Sequence, residues 1–141
     1  MPTTRPQGSW LDLVDRAQAL QAIFGPAVPA LEGVSLHEVG LHRDGPSLTL
    51  RFDLAAYPDP APPKWRAAAH NTVQVRLVLA GVTAVEVDGF ATTLQGDLTL
   101  VRAPDGQVVV SFAAEGCAIR CTARFPRIDA VTAYTDASRA N

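Results

Sequence analysis

Catalytic or metal chemistry in this chain would have to come from three histidines, two cysteines and a scatter of acids. His37 and His42 flank Glu38 and His70 stands apart, so a metal or general-base cluster would need folding to gather them with Glu38 or Asp44. Neither His-Glu-x-x-His nor Cys-x-x-Cys occurs. The histidines therefore read as surface or structural side chains, and no metal ligand or catalytic residue is assigned. Cys117 and Cys121 would lie about 13 Å apart on one extended strand, beyond the roughly 7 Å between Cα atoms that a disulfide spans. Alternation points both thiols inward and Arg120 and Arg124 outward, so the cysteines read as small reduced core residues rather than activated nucleophiles. Gly81, Gly89 and Gly96 do not form a Gly-rich loop leading into a helix, so no phosphate cradle and no cofactor is expected.

The acids Glu38, Asp44, Glu86 and Asp88 fall on or near strand and turn positions expected to face water. Three readings stay open for them: a solvated surface, paired carboxylates for glycoside hydrolysis, or an acidic patch that attracts a basic partner.

Two strands and a stiff loop position these residues. In Ser47–Leu54, Leu48, Leu50, Phe52 and Leu54 alternate with Ser47, Thr49, Arg51 and Asp53, the period of a half-buried strand with the second set wet. Thr72–Leu79 repeats the pattern, with Gln74, Arg76 and Val78 facing away from the core. Between them, Tyr57, Pro62, Pro63 and Trp65 belong to a proline-rich loop whose fixed φ and missing donors exclude a helix or ladder. Tyr57 and Trp65 read as pins for that loop. Full burial of Trp65 would make Trp65→Ala cost about 3–5 kcal/mol.

Toward the N-terminus, Trp10, Leu13, Val14, Ala17, Leu20 and Phe24 recur at helical spacing, which predicts one amphipathic helix from a Ser9 cap to Gly25-Pro26. Val34–His42 fits a strand only with an extra residue near His37-Glu38, and Arg43–Pro46 supplies the turn of a hairpin. A reversal at Ala80-Gly81 would start a separate strand at Val82–Val87, with Val85 and Val87 inward. A second hairpin is expected around Pro104-Asp105-Gly106, then Cys117–Phe125 with Phe125 inside, and a last strand at Ile128–Tyr134. The expected class is α+β, mainly β: a curved antiparallel meander of about seven to eight strands with one N-terminal amphipathic helix packed on it.

At 141 residues with 48% hydrophobic content, the chain suits a single domain over 1–141, with loose tails at 1–8 and 136–141. A net charge of −2 argues against direct nucleic-acid binding. No signal-peptide-like or membrane-spanning run is evident, and the expected compartment is the cytoplasm. A free sheet edge would invite pairing between chains, so the expected state is a monomer or weak homodimer.

The succession Trp10-Leu11-Asp12-Leu13, Ile23-Phe24-Gly25, Leu36-His37-Glu38-Val39, Arg43 through Asp53, Pro62-Pro63-Lys64-Trp65 and Asn71-Thr72-Val73-Gln74-Val75 resembles the immunity protein 50 family, from Trp10 to about Tyr134. The resemblance implies a bacterial antidote, encoded beside its cognate toxin in a polymorphic toxin system, that neutralises the toxin by binding and not by catalysis. Against a toxin with a basic cleft, Glu38, Asp44, Glu86 and Asp88 are the expected contacts. The rival readings are a small apolar ligand-binding module in a closed or curved β-sheet, and an unrecognised hydrolase.

Overall fold

The computed structural model describes residues 9–139. The expected tail at 1–8 lies outside the described residues, as do 140 and 141.

Six antiparallel strands form one sheet: β1 (Val34–His42), β2 (Ser47–Asp53), β3 (Thr72–Asp88), β4 (Gln95–Arg102), β5 (Val108–Ala114) and β6 (Cys117–Tyr134). The mainly β class matches the expectation, and the count is six rather than seven or eight. The sheet is a closed barrel in the order β1-β2-β3-β6-β5-β4 rather than a plain meander, because β3 and β6 pair across the middle of the chain.

Both missing strand breaks have a local cause. Gly81 takes φ +69 without reversing the chain, and a register shift between Val82 and Ala84 lets β3 continue against β6. The expected strands Thr72–Leu79 and Val82–Val87 are thus one. Likewise Cys117–Phe125 and Ile128–Tyr134 are one strand, irregular where Arg76 pairs Ala130 and Leu77 pairs Ile128. These irregularities also explain the faces that alternation misplaces. Phe125 is 61% exposed, not inside; Val85 and Val87 keep the face of the inward Cys121 and Ile119 that they pair, but lie where β2 no longer reaches and are 38% and 45% exposed.

Each strand half contributes to a filled interior. Leu48, Leu50, Phe52, Leu77 and Leu79 from the first half meet Val108, Val110, Phe112, Ile119 and Cys121 from the second, all nearly inaccessible. Filling of this kind by interlocking apolar side chains is the dominant source of the barrel's stability. The hairpin β1–β2 forms as expected, with the bulge between Leu36 and Glu38.

The N-terminal helix is broken. Trp10–Leu13 is a single 3₁₀ turn and α1 spans only Gln18–Phe24. Between them Asp15 is extended: its N–H donates to Pro126 O (2.9 Å) and its C=O accepts from Ile128 N–H (2.9 Å). β5 pairs β6 only as far as Ala123, so Asp15 satisfies backbone groups of β6 that would otherwise lie open. Helical periodicity is blind to this competing use of the backbone. Trp10 Nε1 donates to Pro29 O (2.8 Å), which holds the 3₁₀ turn on the connector leading to β1.

The proline loop does not exclude a helix as expected: Pro63 and Trp65 lie in the short helix α2 (Pro63–Ala67), with Pro62 as its N-cap, because a proline in the first turn has no intrahelical bond to lose. Tyr57 and Trp65 lie with ring centroids 6.2 Å apart, both half-buried and packed on the core. At the other end, Arg139 Nη2 donates to Leu54 O (3.0 Å) and Asn71 Nδ2 to Asp136 O (3.0 Å), tying the described part of 136–141 to the barrel.

Candidate functional site

Asp53 was expected on the wet face of β2, and so was Thr49. Both are buried, Asp53 to 1% exposure. Side chains from β1, β3 and β6 gather over the end of β2, and a carboxylate there must find donors or lose its hydration uncompensated. It finds three. His37 Nε2 lies 2.8 Å from Oδ2, Tyr134 Oη donates to the same oxygen, and Gln74 Nε2 donates to Oδ1 (2.9 Å). Arg51 extends the chain of bonds: its Nη1 donates to Gln74 Oε1 (3.3 Å) and its Nε to Glu38 Oε1 (3.0 Å). One polar network therefore joins β1, β2, β3 and β6. The bulge after Leu36 brings His37 into it. Burial, then the hydrogen bond to Asp53, pushes the Tyr134 hydroxyl up to about 12.

An aspartate holding a histidine is also half of a hydrolytic triad. Among the described residues, no hydroxyl or thiol hydrogen-bonds His37, whose one such contact is to Asp53. The cysteines sit on the opposite half of β6, facing inward as expected. Burial pushes the Cys121 thiol up to about 11, and burial followed by the charge of Asp88 raises that of Cys117, so neither is an activated nucleophile. His42 is exposed on the hairpin tip, and His70 reaches Thr135 Oγ1 at 3.5 Å. Among the described residues, no three His, Cys, Asp or Glu side chains form a set able to hold a metal ion. The Asp53 network is a clamp between strands.

The four acids expected at a contact surface do not form one patch. Glu38 stands opposite Arg51, and the hydrogen bond from that guanidinium holds its carboxyl below the usual range. Glu86 lies ten positions beyond Arg76 on β3, roughly 33 Å along the strand from the level of Glu38 and Arg51. Glu86 and Asp88 share one face of the end of β3, where Glu86 stands opposite Arg120 and Asp88 opposite Ala118. Asp44 is exposed in the turn between β1 and β2.

That turn and β3 bound an apolar groove of about 470 Å³, lined by Leu41, Pro46, Val82 and Val85 among others. β2 ends at Ser47, paired with Ala80, and the last backbone bond on that side is Val82 N–H to Pro46 O (3.0 Å). Among the described residues, β3 beyond Val82 pairs with β6 alone, so its outer edge is open. Alternation on this stretch gives the sequence signal, but it looked like an inward strand because nothing local shows that β2 stops short. A second apolar groove, of about 770 Å³, lies between the connector at Val28–Glu32 and Leu98–Val101 of β4.

Among the described residues, no helix is long and apolar enough to cross a membrane. Comparison with curated proteins and with solved structures returns no match. The family model for immunity protein 50 matches residues 16–134, a span that takes in α1, all six strands, the Asp53 clamp and the open end of β3, and the chain belongs to that family.

Proposed function

We propose that this chain is a cytoplasmic bacterial immunity protein that binds the cognate toxin of a polymorphic toxin system and neutralises it by non-covalent contact. The observation that carries this is the family match over residues 16–134. The architecture suits such a role: a barrel with a packed interior presents fixed backbone and side chains without reorganising, which lowers the entropy lost on association. Its interior is filled by side chains such as Phe52, Leu77 and Phe112, and its grooves lie outside, an arrangement that favours a protein surface over an enclosed small ligand.

The contact surface centres on the open end of β3, with Glu86 and Asp88, and on the neighbouring turn, with Asp44. Glu38 is already matched by Arg51 and contributes less. Isothermal titration of the purified chain with the protein encoded beside it, at several salt concentrations, tests the reading. Binding should weaken with salt, and Asp88→Lys should weaken it more than Glu38→Gln. A neighbour-encoded toxin that neither binds nor is inhibited would overturn the function; a tight complex indifferent to all four charges would overturn the surface.

A further inference from the structure

The end of β3 combines three features that together specify a kind of partner. From Ala84 to Asp88 the strand pairs with Thr122 to Ala118 without irregularity, so its outer edge is straight for about 17 Å. Along that edge every second residue turns its N–H and C=O away from β6, and among the described residues no backbone group meets them. Val85 and Val87 lie on one face, in line with the inward Cys121 and Ile119, while Glu86 and Asp88 lie on the other.

Other strand edges are covered near the seam and open beyond it. β1 is bulged at His37, and among the described residues its outward backbone bonds stop at Leu36 N–H to Leu94 O (2.8 Å), so what sets the end of β3 apart is its pairing of an apolar face with an acidic one. β4 is covered where Leu98 N–H donates to Leu31 O (3.0 Å) and Gly33 N–H donates to Asp97 Oδ1 (3.0 Å).

We infer that the toxin docks here by strand addition: an extended toxin segment pairs with the edge of β3 at Ala84–Asp88, placing apolar side chains beside Val85 and Val87 and basic ones beside Glu86 and Asp88. This rests on the neutralisation reading above and specifies its geometry. The occupant follows from charge. Two copies of this chain paired through the edge would set Glu86 and Asp88 of each on one shared face, four carboxylates with like charges adjacent, which destabilises a sheet. A strand carrying Lys or Arg at alternate positions meets the same acids as partners, and alternate apolar residues continue the row from Ile119 and Cys121. The groove beside Leu41 and Pro46 then receives the end of the added strand next to the turn holding Asp44.

Amide hydrogen exchange on the full chain, alone and in complex with the toxin encoded beside it, reads the pairing directly. Within Ala84–Asp88 the amides that point away from β6 should slow by more than about tenfold in the complex, since pairing must open before they exchange. The double variant Glu86→Gln/Asp88→Asn, at exposed positions and setting no like charge opposite Arg120, should keep the free chain's melting temperature and weaken toxin binding by more than about tenfold. A toxin complex of full affinity whose Ala84–Asp88 amides exchange as in the free chain overturns strand addition and leaves neutralisation standing. Absence of any complex overturns both. Protection that grows with the concentration of the chain alone assigns the edge to a second copy and overturns the proposed occupant.

Discussion

Asp53 shows at the scale of one residue how burial changes what a carboxylate must do. At 1% exposure it accepts from His37, Gln74 and Tyr134 together, so its removal strands three donors placed for it. Asp53→Ala should cost about 3 kcal/mol in urea unfolding, and Asp53→Asn less, because the amide keeps one acceptor. Tyr134 of that network and the separately buried Cys121 set an alkaline limit. The Tyr134 hydroxyl is raised from 10.0 to about 12 and the Cys121 thiol from 9.0 to about 11. A raised folded pKa means the folded state holds its proton longer than the unfolded chain, so this stability is whole below pH 9 and is lost as pH rises through 11 and 12. Melting temperatures measured from pH 8 to 12 should fall in that window, and Tyr134→Phe should flatten the upper part of the fall. Tyr57 gives the opposite case, since its buried Oη has no partner among the described residues. Tyr57→Phe should leave stability unchanged or raise it by up to about 1 kcal/mol.

At the scale of elements, the two long strands depend on residues that keep a chain extended while turning it. Gly81 has φ +69, and a Cβ there would lie 3.2 Å from Arg124 Cβ and 3.3 Å from Phe125 Cδ2. Gly81→Ala should therefore lower stability by about 1–2 kcal/mol, read as a drop in melting temperature. The same residue marks how far sequence reasoning reached. Glycine after alanine at the end of an alternating run signals a change of direction, and the signal is shared by a hairpin turn and a bulge. Only the partner strand decides, and β6 is forty residues away in the chain. The β1–β2 hairpin and the bulge at His37 were legible because their causes are local: a fault in alternation and an Asp-Gly-Pro turn. The Asp53 clamp was not, because alternation assigns faces and cannot see which side chains of distant strands gather over the wet face. The break at Asp15 was hidden for a related reason, its backbone being held by β6 and not by its own helix. Trp65 was legible as an anchor, yet it is half-buried, so Trp65→Ala should cost about 2 kcal/mol rather than the value for full burial.

For the molecule as a whole, the barrel is closed unevenly. β3 and β6 run together from Thr72 with Tyr134 to Asp88 with Ala118, whereas β1 and β4 meet through Val34 with Gly96 and Ser35 with Gln95 alone. Beside the seam β4 lies tight on β5, since a Cβ on Gly96 would fall 2.1 Å from Ala113 O, backbone that cannot move without disturbing β5. Cooperative units in a fold open in order of the contacts they break, and a two-pair seam breaks far fewer than the central ladder. In native-state hydrogen exchange at low denaturant, the seam-facing amides of Val34, Leu36 and Gly96 should exchange through an opening well below the global unfolding free energy. Those of Val75 and Leu77 should exchange only with global unfolding. Gly96→Ala should widen this gap, lowering the seam's opening free energy more than that of the β3–β6 ladder. Equal protection at the seam and the ladder would mean instead that the barrel opens all at once, and that the packed core of Phe52, Leu77 and Phe112 holds β1 to β4 more firmly than their backbone pairing does.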